Sequence, residues 1–454
     1  MQKYDVLIIG GATTGSYFAH QMARRGHKVL VIEKSSADKV GNKYDIFHMC
    51  KKDFSRFGLP LPVPGEDLAF EFSHQVYYSA FGHYPKRRES DVVGMHMHAY
   101  TLRMNEWAKK VGAEYIYNAT FIDLIYEEGK VVGAKCLINN SEVTIRARIV
   151  ADCSGIPSVA RTKLPMYYGV ENFTILPTDM FYVTLRYVKY KDPKDYVKAC
   201  TSWTYYKTWE APQADPEGAI LGVGANHSFE YGDKIAQEFE SKITLPKYKV
   251  TKVEKGTTPY RRPPYSFVAD GFIVMGDAAC LTKPSAGEGV TSSMVQAEIA
   301  AKVIDNVLKS YAKITTDKLW EINKTYYSGQ GKVYAGLLAT LVGATSSSEK
   351  ENEFFFKKDI VFSTKSFEAM AEDKPLSFSL GETIMMALKM LGGVITGKLS
   401  IKTIKTLLNG MSNGKKVTKL YENYPSNPGD FVEWAKEADM VWAQCGSMAD
   451  HDVE

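Results

Sequence analysis

The predicted fold depends on the stretch Tyr4-Asp5-Val6-Leu7-Ile8-Ile9-Gly10-Gly11-Ala12-Thr13-Thr14-Gly15. Its first six residues are mostly apolar or β-branched, which predicts a strand buried on both faces. The glycine cluster then turns the chain directly into a helical segment at 16–25. Gly10 allows a tight turn, Gly15 lets the helix lie close to the strand, and free N–H groups at the helix start can hold a pyrophosphate. The stretch therefore predicts a dinucleotide site.

A carboxylate stands at the tip of the next predicted strand, where the segment 28–32 is followed by Glu33. A ribose diol needs a hydrogen-bond acceptor at this place. The pattern Gly-x-Gly-x-x-Gly is altered at its middle glycine, which is Ala12 here. A methyl group then stands where the backbone would come nearest to the phosphates, so we expect weaker or slightly displaced binding. A glycine-rich turn without a ligand is the alternative explanation.

Length and composition indicate a globular protein. A chain of 454 residues, 45% hydrophobic and 24% charged, predicts two or three packed units. The net charge of +4, with lysines and acids mixed throughout, argues against a nucleic-acid partner. Six scattered cysteines favour reduced thiols in the cytoplasm over disulfides or a zinc site. We predict neither a signal peptide nor the ~20-residue apolar run that a membrane span requires.

The alternation of patterns along the chain predicts an α/β fold in three parts. Buried strands and helices indicate a discontinuous cofactor-binding domain, and alternating strands indicate an antiparallel-sheet domain that forms a substrate cavity. The predicted domains are 1–59, 99–165 and 259–310 for the cofactor, 60–98 and 166–258 for the substrate, and 311–454 for a helical C-terminal region.

A second part of the predicted cofactor site lies far along the chain, where a buried strand ends in Gly276-Asp277. The carboxylate of Asp277 suits a ribityl hydroxyl, and Gly287-Glu288-Gly289 follows at the start of a long helix. A helix N-terminus stabilises negative charge, which a reduced flavin carries at the pyrimidine end of its ring. These residues favour FAD over NAD as the tightly held cofactor.

Several motifs resemble those of the p-hydroxybenzoate hydroxylase-like flavoprotein superfamily, which includes aromatic hydroxylases and geranylgeranyl reductases. They are GGATTG at 10–15, Asp152-Cys153-Ser154-Gly155 with Arg161 soon after, and Gly276-Asp277 followed by Pro284. Three more are similar to the geranylgeranyl reductase family, namely Arg261-Arg262-Pro263, Lys163-Leu164-Pro165 and Asn423-Tyr424-Pro425. The resemblance spans nearly the whole chain and implies a Rossmann-like FAD-binding domain.

The resemblance also implies which residues contact FAD. They are Gly10, Gly11, Ala12, Thr13, Thr14, Gly15, Glu33, Lys34, Arg103, Gly276, Asp277, Pro284, Gly287, Glu288, Gly289 and Val290. Arg103 would reach the phosphates or the ribityl chain. The alternative is an ordinary arginine on a helix surface.

Two family motifs are altered where a substrate should bind. A Pro-Cys-Gly motif is replaced by Tyr44-Asp45-Ile46, and the nearest cysteine is Cys50. A motif of an aromatic residue, Trp, Phe-Pro and a later Gly-x-Gly corresponds here to Lys207, Trp209, Ala211-Pro212 and Gly222-Val223-Gly224. The resemblance implies that the retained residues Trp209, Pro212, Gly222 and Gly224 bind substrate. The two lost aromatic side chains indicate a changed substrate or lost reductase activity.

Reduction of an unactivated C=C bond requires a hydride from flavin N5 on one carbon and a proton on the other. Asp45, His48 and Cys50 lie in the segment that would face the ring, so one of them, or water, is the candidate donor. The alternative for His48 is an ordinary polar residue in a loop. No metal site is predicted, since His96-x-His98 lacks a third ligand at a suggestive spacing.

The leading hypothesis is an FAD-dependent reductase that hydrogenates C=C bonds of an isoprenoid or similar hydrophobic substrate. The alternatives are an FAD-dependent monooxygenase of an aromatic substrate and a catalytically drifted flavin- or lipid-binding protein. The electron donor stays open between NADPH, ferredoxin and another carrier. The predicted partner is a hydrophobic small molecule or lipid.

The segment 384–408 bears on membrane contact. It is apolar on one side and carries Lys389, Lys398, Lys402 and Lys405. Such a region either rests on a membrane surface or packs on the core of its own domain. The scattered cysteines predict a cytoplasmic protein. If the segment 384–408 rests on a membrane surface, we predict peripheral membrane contact as well.

Overall fold

The computed structural model describes residues 3–41, 44–166, 168–204, 207–344, 347–372, 374 and 376–445. The strands are β1 (Lys3–Ile9), β2 (Val29–Ile32), β3 (Ile46–Cys50), β4 (Leu68–Tyr78), β5 (Lys86–His96), β6 (Glu114–Ile116), β7 (Ala119–Glu127), β8 (Lys130–Ile138), β9 (Ser141–Asp152), β10 (Met180–Tyr190), β11 (Cys200–Trp203), β12 (Lys207–Pro212), β13 (Gly218–Ala225), β14 (Tyr248–Pro259), β15 (Val268–Ala269) and β16 (Phe272–Val274). The helices are α1 (Thr13–Ala23), α2 (Lys51–Phe57), α3 (Met97–Lys109), α4 (Phe229–Lys242), α5 (Val290–Ser310), α6 (Thr316–Tyr326), α7 (Lys332–Ala344), α8 (Glu349–Lys358), α9 (Thr364–Ala371), α10 (Leu380–Ile395), α11 (Ile401–Glu422) and α12 (Phe431–Ala443).

The first sheet contains parallel strands in the order β16-β9-β1-β2-β6, with β15 antiparallel at one edge. The apolar residues of β1 are buried, as are those of β2. Because these strands run in one direction, their carboxyl ends meet at one edge of the sheet. The residues that end them side by side are Ile9, Ile32, Asp152 and Val274. Open α/β sheets bind ligands at this edge.

Helices and an antiparallel extension complete the layer around this sheet. The helix α1 packs against α3 and α5. The strands β7 and β8 continue from β9 as an antiparallel meander.

The second sheet has the strand order β14-β10-β13-β12-β11-β4-β5-β3. The strand β3, whose residues fall in the predicted segment 1–59, pairs with β5 in this sheet. Alternate residues of a strand face the same side. One face carries a cluster that includes Ile46 and Phe70, and we call it the inner face. The other face packs on α4, and Val223 of β13 and Phe239 of α4 belong to one buried cluster there.

The C-terminal region consists of the helices α6–α12 and has an aromatic core. The ring of Tyr327 stacks on Phe267 and on Tyr424, with a centroid distance of 4.7 Å in both pairs. The hydroxyl of Tyr424 donates to the carbonyl of Tyr265 at 2.7 Å, which ties the helices to the segment that precedes β15. The predicted α/β class with an antiparallel sheet and a helical C-terminal region is confirmed.

Candidate functional site

The glycine-rich loop after β1 packs against the turn that follows β9. Gly10 has a left-handed φ of +105°, and a Cβ there would overlap the carbonyl oxygen of Cys153. A Cβ on Gly15 would overlap the carbonyl oxygen of Gly10, because α1 starts so close to the strand. Only glycine therefore fits at these two positions.

Two polar side chains hold this loop. Glu33, directly after β2, accepts hydrogen bonds from the N–H groups of Gly11 and Ser35, each at 2.8 Å and each on a different carboxylate oxygen. Each oxygen keeps lone-pair capacity for a ribose hydroxyl. Asn105 on α3, oriented with its amide nitrogen toward the loop, donates to the carbonyl of Gly11 at 3.0 Å. Sequence patterns did not reveal Asn105, since a buried polar residue in a helix shows its partner only in the folded chain.

The start of α1 suits an anion. Ala12 is the N-cap residue of this helix, and without a side-chain oxygen it makes no capping hydrogen bond. Ala12 is exposed, whereas Gly11 and Thr13 on either side of it are buried. The first N–H groups of a helix lack intrahelical partners and attract phosphate. A pyrophosphate therefore fits this helix end.

Residues from the distant Gly-Asp motif lie beside the same loop. A Cβ on Gly276 would stand 2.7 Å from Oγ1 of Thr14. A Cβ on Gly289 would stand 2.9 Å from Oδ1 of Asp277. The segments 10–15, 276–277 and 287–289 thus converge, although they are far apart in the sequence.

The segment 284–289 connects this edge to the second sheet. The carbonyl of Pro284 accepts a hydrogen bond from the hydroxyl of Tyr260 at 3.1 Å. Glu288 turns its carboxylate back onto α5, where it accepts from the N–H of Val290 and from the N–H and hydroxyl of Thr291. Burial raises the pKa of Glu288. Its carboxylate caps α5, and its contact with a cofactor stays a prediction.

Arg103 on α3 is directed at another loop. Its guanidinium donates to Asp67 and, at 2.6 Å, to Glu66. The hydrogen bond to Asp67, which is 1% exposed, raises the pKa of Arg103. Carboxylates of the protein therefore already bind this arginine, and its contact with a cofactor stays a prediction, as does that of the exposed Lys34.

Asp45 lies in an ion-pair cluster directly before β3. Its carboxylate oxygens are 3.0 Å from Nδ1 of His96 and 3.0 Å from Nζ of Lys252. Burial raises the pKa of Asp45, but the bonds to His96 and Lys252 outweigh it, so the pKa is lowered overall. Asp45 is therefore ionised at neutral pH, which makes it a poor proton donor.

His48 and Cys50 share the inner face of β3 because they are two residues apart. The imidazole of His48 lies 6.4 Å from the ring of Phe70. Burial, with a smaller contribution from the charge of Lys207, lowers the pKa of His48 to about 4, so the ring is neutral. The Sγ of Cys50 lies 3.8 Å from Oγ of Ser90. The roles of His48 and Cys50 as proton donors stay predictions.

Three aromatic rings on the inner face rest against glycines, where any Cβ would overlap the ring. The pairs are Trp209 on Gly222, Phe181 on Gly224 and Phe70 on Gly94. We call these three rings the aromatic floor. A bare glycine backbone lets each ring lie close to the sheet, which explains why Trp209 and the Gly-x-Gly motif occur together. Pro212 has the opposite strand parity and pairs with Ala219, so its contact with a substrate stays a prediction.

Lys207 stands where the aromatic floor meets the segment 284–289. Its Nζ donates to the carbonyl of Ala286 and lies 5.6 Å from the ring centroid of Phe181. Burial lowers the pKa of Lys207 to about 8, although the charge of Glu288 opposes this change. The side chain nevertheless keeps accessible surface. The ammonium group therefore lies between the ring of Phe181 and the segment 284–289.

Metal chemistry finds no support in the described part of the chain, where no group of three or more His, Cys, Asp or Glu side chains is placed to hold an ion. All six cysteines fall within the described ranges and are free thiols.

Comparison with known proteins identifies the cofactor domain. Residues 3–211 match the family model described as "FAD binding domain". The chain is an FAD-dependent oxidoreductase. This oxidoreductase is 27% identical over 452 residues to the digeranylgeranylglycerophospholipid reductase of Sulfolobus acidocaldarius, and the match covers 97% of each chain. The resemblance to the geranylgeranyl reductase family is thereby confirmed.

Two solved structures share the fold of this oxidoreductase. A geranylgeranyl bacteriochlorophyll reductase-like protein from Thermoplasma acidophilum has a TM-score of 0.64 and 19% identity, over 87% of this chain and 98% of that chain. The p-nitrophenol 4-monooxygenase of Pseudomonas putida has a TM-score of 0.61 and 16% identity, over 82% of this chain and 98% of that chain. Because a reductase-like protein and a monooxygenase share the fold, the reaction must be argued from the site.

Among the described helices of this oxidoreductase, none combines the length and the apolar character that crossing a bilayer requires.

Proposed function

We propose that this oxidoreductase hydrogenates C=C bonds in the isoprenoid chains of a lipid, and that digeranylgeranylglycerophospholipid is the substrate to test first. The aromatic floor carries the proposal, because it places three aromatic rings on the inner face of the second sheet. A prenyl chain has no polar groups, so burial against these rings binds it, at about 25 cal/mol per Å² of apolar surface. The relative from Sulfolobus acidocaldarius, similar over 97% of the chain, supports this substrate class.

Each part of the site has a separate task in this proposal. The start of α1 would hold the pyrophosphate of FAD, Glu33 the ribose and Asp277 the ribityl chain. Bound, reduced FAD supplies the hydride. The aromatic floor orients the prenyl chain and keeps water from the double bond. A side chain near the aromatic floor, or water, would then supply the proton.

The direct test is anaerobic product analysis. Purified protein is loaded with FAD, reduced with dithionite and mixed with digeranylgeranylglycerophospholipid in detergent, with FAD-free protein as the control. We expect mass spectrometry to show a gain of two hydrogen atoms per reduced double bond. A yellow, reducible protein that leaves the lipid unchanged would contradict the proposal and support a drifted binding protein. Oxygen uptake that begins only on addition of a phenol would support the monooxygenase.

We propose an external carrier, NADPH or ferredoxin, as the source of electrons. The sequence contains one evident dinucleotide fingerprint, at 10–15, and FAD would occupy it. Anaerobic bleaching of the flavin by NADPH alone, or only by reduced ferredoxin, separates the two donors.

The free cysteine thiols support a cytoplasmic location.

We further propose that α10 rests on a bilayer surface, where a prenyl lipid is found. Of the six large apolar side chains on α10 that are each more than half exposed, five follow one another at intervals of three or four residues. They are Leu380, Ile384, Leu388, Leu391 and Ile395, and we call them the α10 stripe. A neighbouring side of α10 packs on the core of the C-terminal region through Met390 and Val394. Lys398 and Lys405 are exposed near the end of the stripe, which suits anionic headgroups.

Charged substitutions in the α10 stripe are expected to release the protein from membranes. The double variant Leu388→Glu, Leu391→Glu should bind phosphatidylserine vesicles at least about tenfold more weakly in co-sedimentation, because it removes two buried apolar groups from the bilayer. Val432→Glu on α12 is the matched control, since Val432 is equally exposed away from the stripe, and should bind normally. If the double variant binds vesicles as tightly as the wild type, the membrane contact is refuted. It is also refuted if the wild type is a dimer and the double variant loses the dimer but keeps its vesicle binding.

A further inference from the structure

We propose that Lys207 is the proton donor of the reaction, which rests on the proposed alkene reduction. The resemblance to the family motif implies an aromatic residue where this chain has Lys207. The lysine offers an ammonium group in place of that ring.

The position of Lys207 follows from the register of β12. Lys207 and Trp209 are two residues apart, so both project from the inner face of the second sheet. The side chain of Lys207 therefore lies on the same face of the sheet as the indole of Trp209. Its Nζ donates to the carbonyl of Ala286 and lies 2.7 Å from the place a Cβ would take on Gly287. Since an ammonium has three N–H groups, the bond to Ala286 leaves two for solvent or substrate.

Groups from three elements face Lys207. The carboxylate of Glu288 approaches from the segment before α5, the imidazole of His48 from β3, and the ring of Phe181 from β10. Glu288 raises the pKa of Lys207, but burial lowers it more, to about 8. The carboxylate of Glu288 accepts hydrogen bonds from the N–H and the hydroxyl of Thr291, at the start of α5.

The other candidates are less suited to give a proton at neutral pH. Hydrogen bonds to His96 and Lys252 lower the pKa of Asp45, so it is already ionised. The pKa of His48 is about 4, so its ring is already neutral. A general acid works best when its pKa lies near the working pH, which is the case for Lys207.

The chemical step balances with one ammonium proton. The alkene accepts the hydride that reduced FAD supplies on one carbon and the proton from Lys207 on the other. Two C–H bonds form, while the π bond and one N–H bond break. The alkene is reduced, the cofactor is oxidised, and the neutral amine regains its proton from water.

The kinetic test compares wild type, Lys207→Met and Lys207→Arg in anaerobic single turnovers with digeranylgeranylglycerophospholipid across the pH range. We expect the wild-type rate to fall as pH rises through about 8, because the ammonium loses its proton. Lys207→Met should be slower by roughly 100-fold or more and lose this pH dependence. Lys207→Arg should also be slow, since arginine keeps its proton below about pH 12. Full activity in Lys207→Arg would mean that charge alone is needed and would overturn the proposal.

The matched control is Lys255→Met, because Lys255 pairs with Asp233 at 2.8 Å on exposed surface. It should turn over normally. Unchanged rate and pH profile in Lys207→Met would overturn the role of Lys207 and leave the reductase intact. A wild-type protein that reduces no lipid alkene would overturn both.

A titration of FAD-free protein gives a readout independent of turnover. Lysines are labelled by reductive methylation with ¹³C-formaldehyde, and the Lys207 signal is the one absent from Lys207→Arg. We expect its NMR titration midpoint near 8. A midpoint near the ordinary value of about 10.4 would overturn the proposal whatever the activity shows.

Discussion

Gly222→Val is expected to abolish alkene reduction while the protein keeps its FAD. Any Cβ at this position overlaps the indole of Trp209, and valine adds two methyl groups more. The ring must then leave the sheet and enter the space that the prenyl chain would occupy. Because misplacement of a substrate by about 1 Å can cost roughly 100-fold in rate, we expect a loss of at least that size. Product mass spectrometry and the flavin absorbance of the same sample measure both quantities.

Two comparisons make this result specific. Gly232→Ala on α4 lies behind the outer face of the sheet, where its Cβ would meet only Ala225 at 3.7 Å, and should react normally. Trp209→Ala keeps Gly222 but removes the ring, and should weaken substrate binding without loss of FAD. A normal rate for Gly222→Val, or equal rates for all three variants, would contradict the role of the aromatic floor.

Gly15→Ala is expected to disrupt the cofactor-binding part of the fold. The new Cβ would overlap the carbonyl oxygen of Gly10, and neither backbone can move without separating α1 from β1. Overpacking typically lowers the free energy of unfolding by about 1–3 kcal/mol, and a clash with backbone atoms belongs at the upper end of that range. We expect a protein that unfolds at lower urea concentration and purifies without flavin.

The control for this prediction is Gly381→Ala on α10. No atom lies within 4 Å of the place its Cβ would take, so the substitution should leave flavin content and the urea midpoint unchanged or slightly raised. Equal stability of Gly15→Ala and the wild type would show that the helix does not press on the loop as described.

Local rules allowed part of this fold to be predicted from sequence. A strand, a tight turn and a helix start are set by neighbouring residues, so the sequence alone indicates the roles of Gly10, Gly15 and Glu33. Parallel strands end at one edge, so the convergence of segments 10–15 and 276–277 also followed from general rules.

Long-range partners could not be predicted in the same way. The bond from Lys207 to Ala286 joins residues 79 positions apart, and that from Arg103 to Asp67 joins residues 36 apart. Neither pairing leaves a periodic signal. The strand β3 lies at the edge of the second sheet because it pairs with β5. The strand is short and the residues around it are polar, so the sequence does not indicate this pairing.

The most direct test of the central claim is a single anaerobic turnover followed in two ways. Reduced, FAD-loaded protein is mixed with digeranylgeranylglycerophospholipid, while flavin absorbance and lipid mass are recorded together. We predict that one equivalent of oxidised flavin returns for each pair of hydrogen atoms that the lipid gains. Flavin that stays reduced until oxygen is admitted, with the lipid unchanged, would contradict the account.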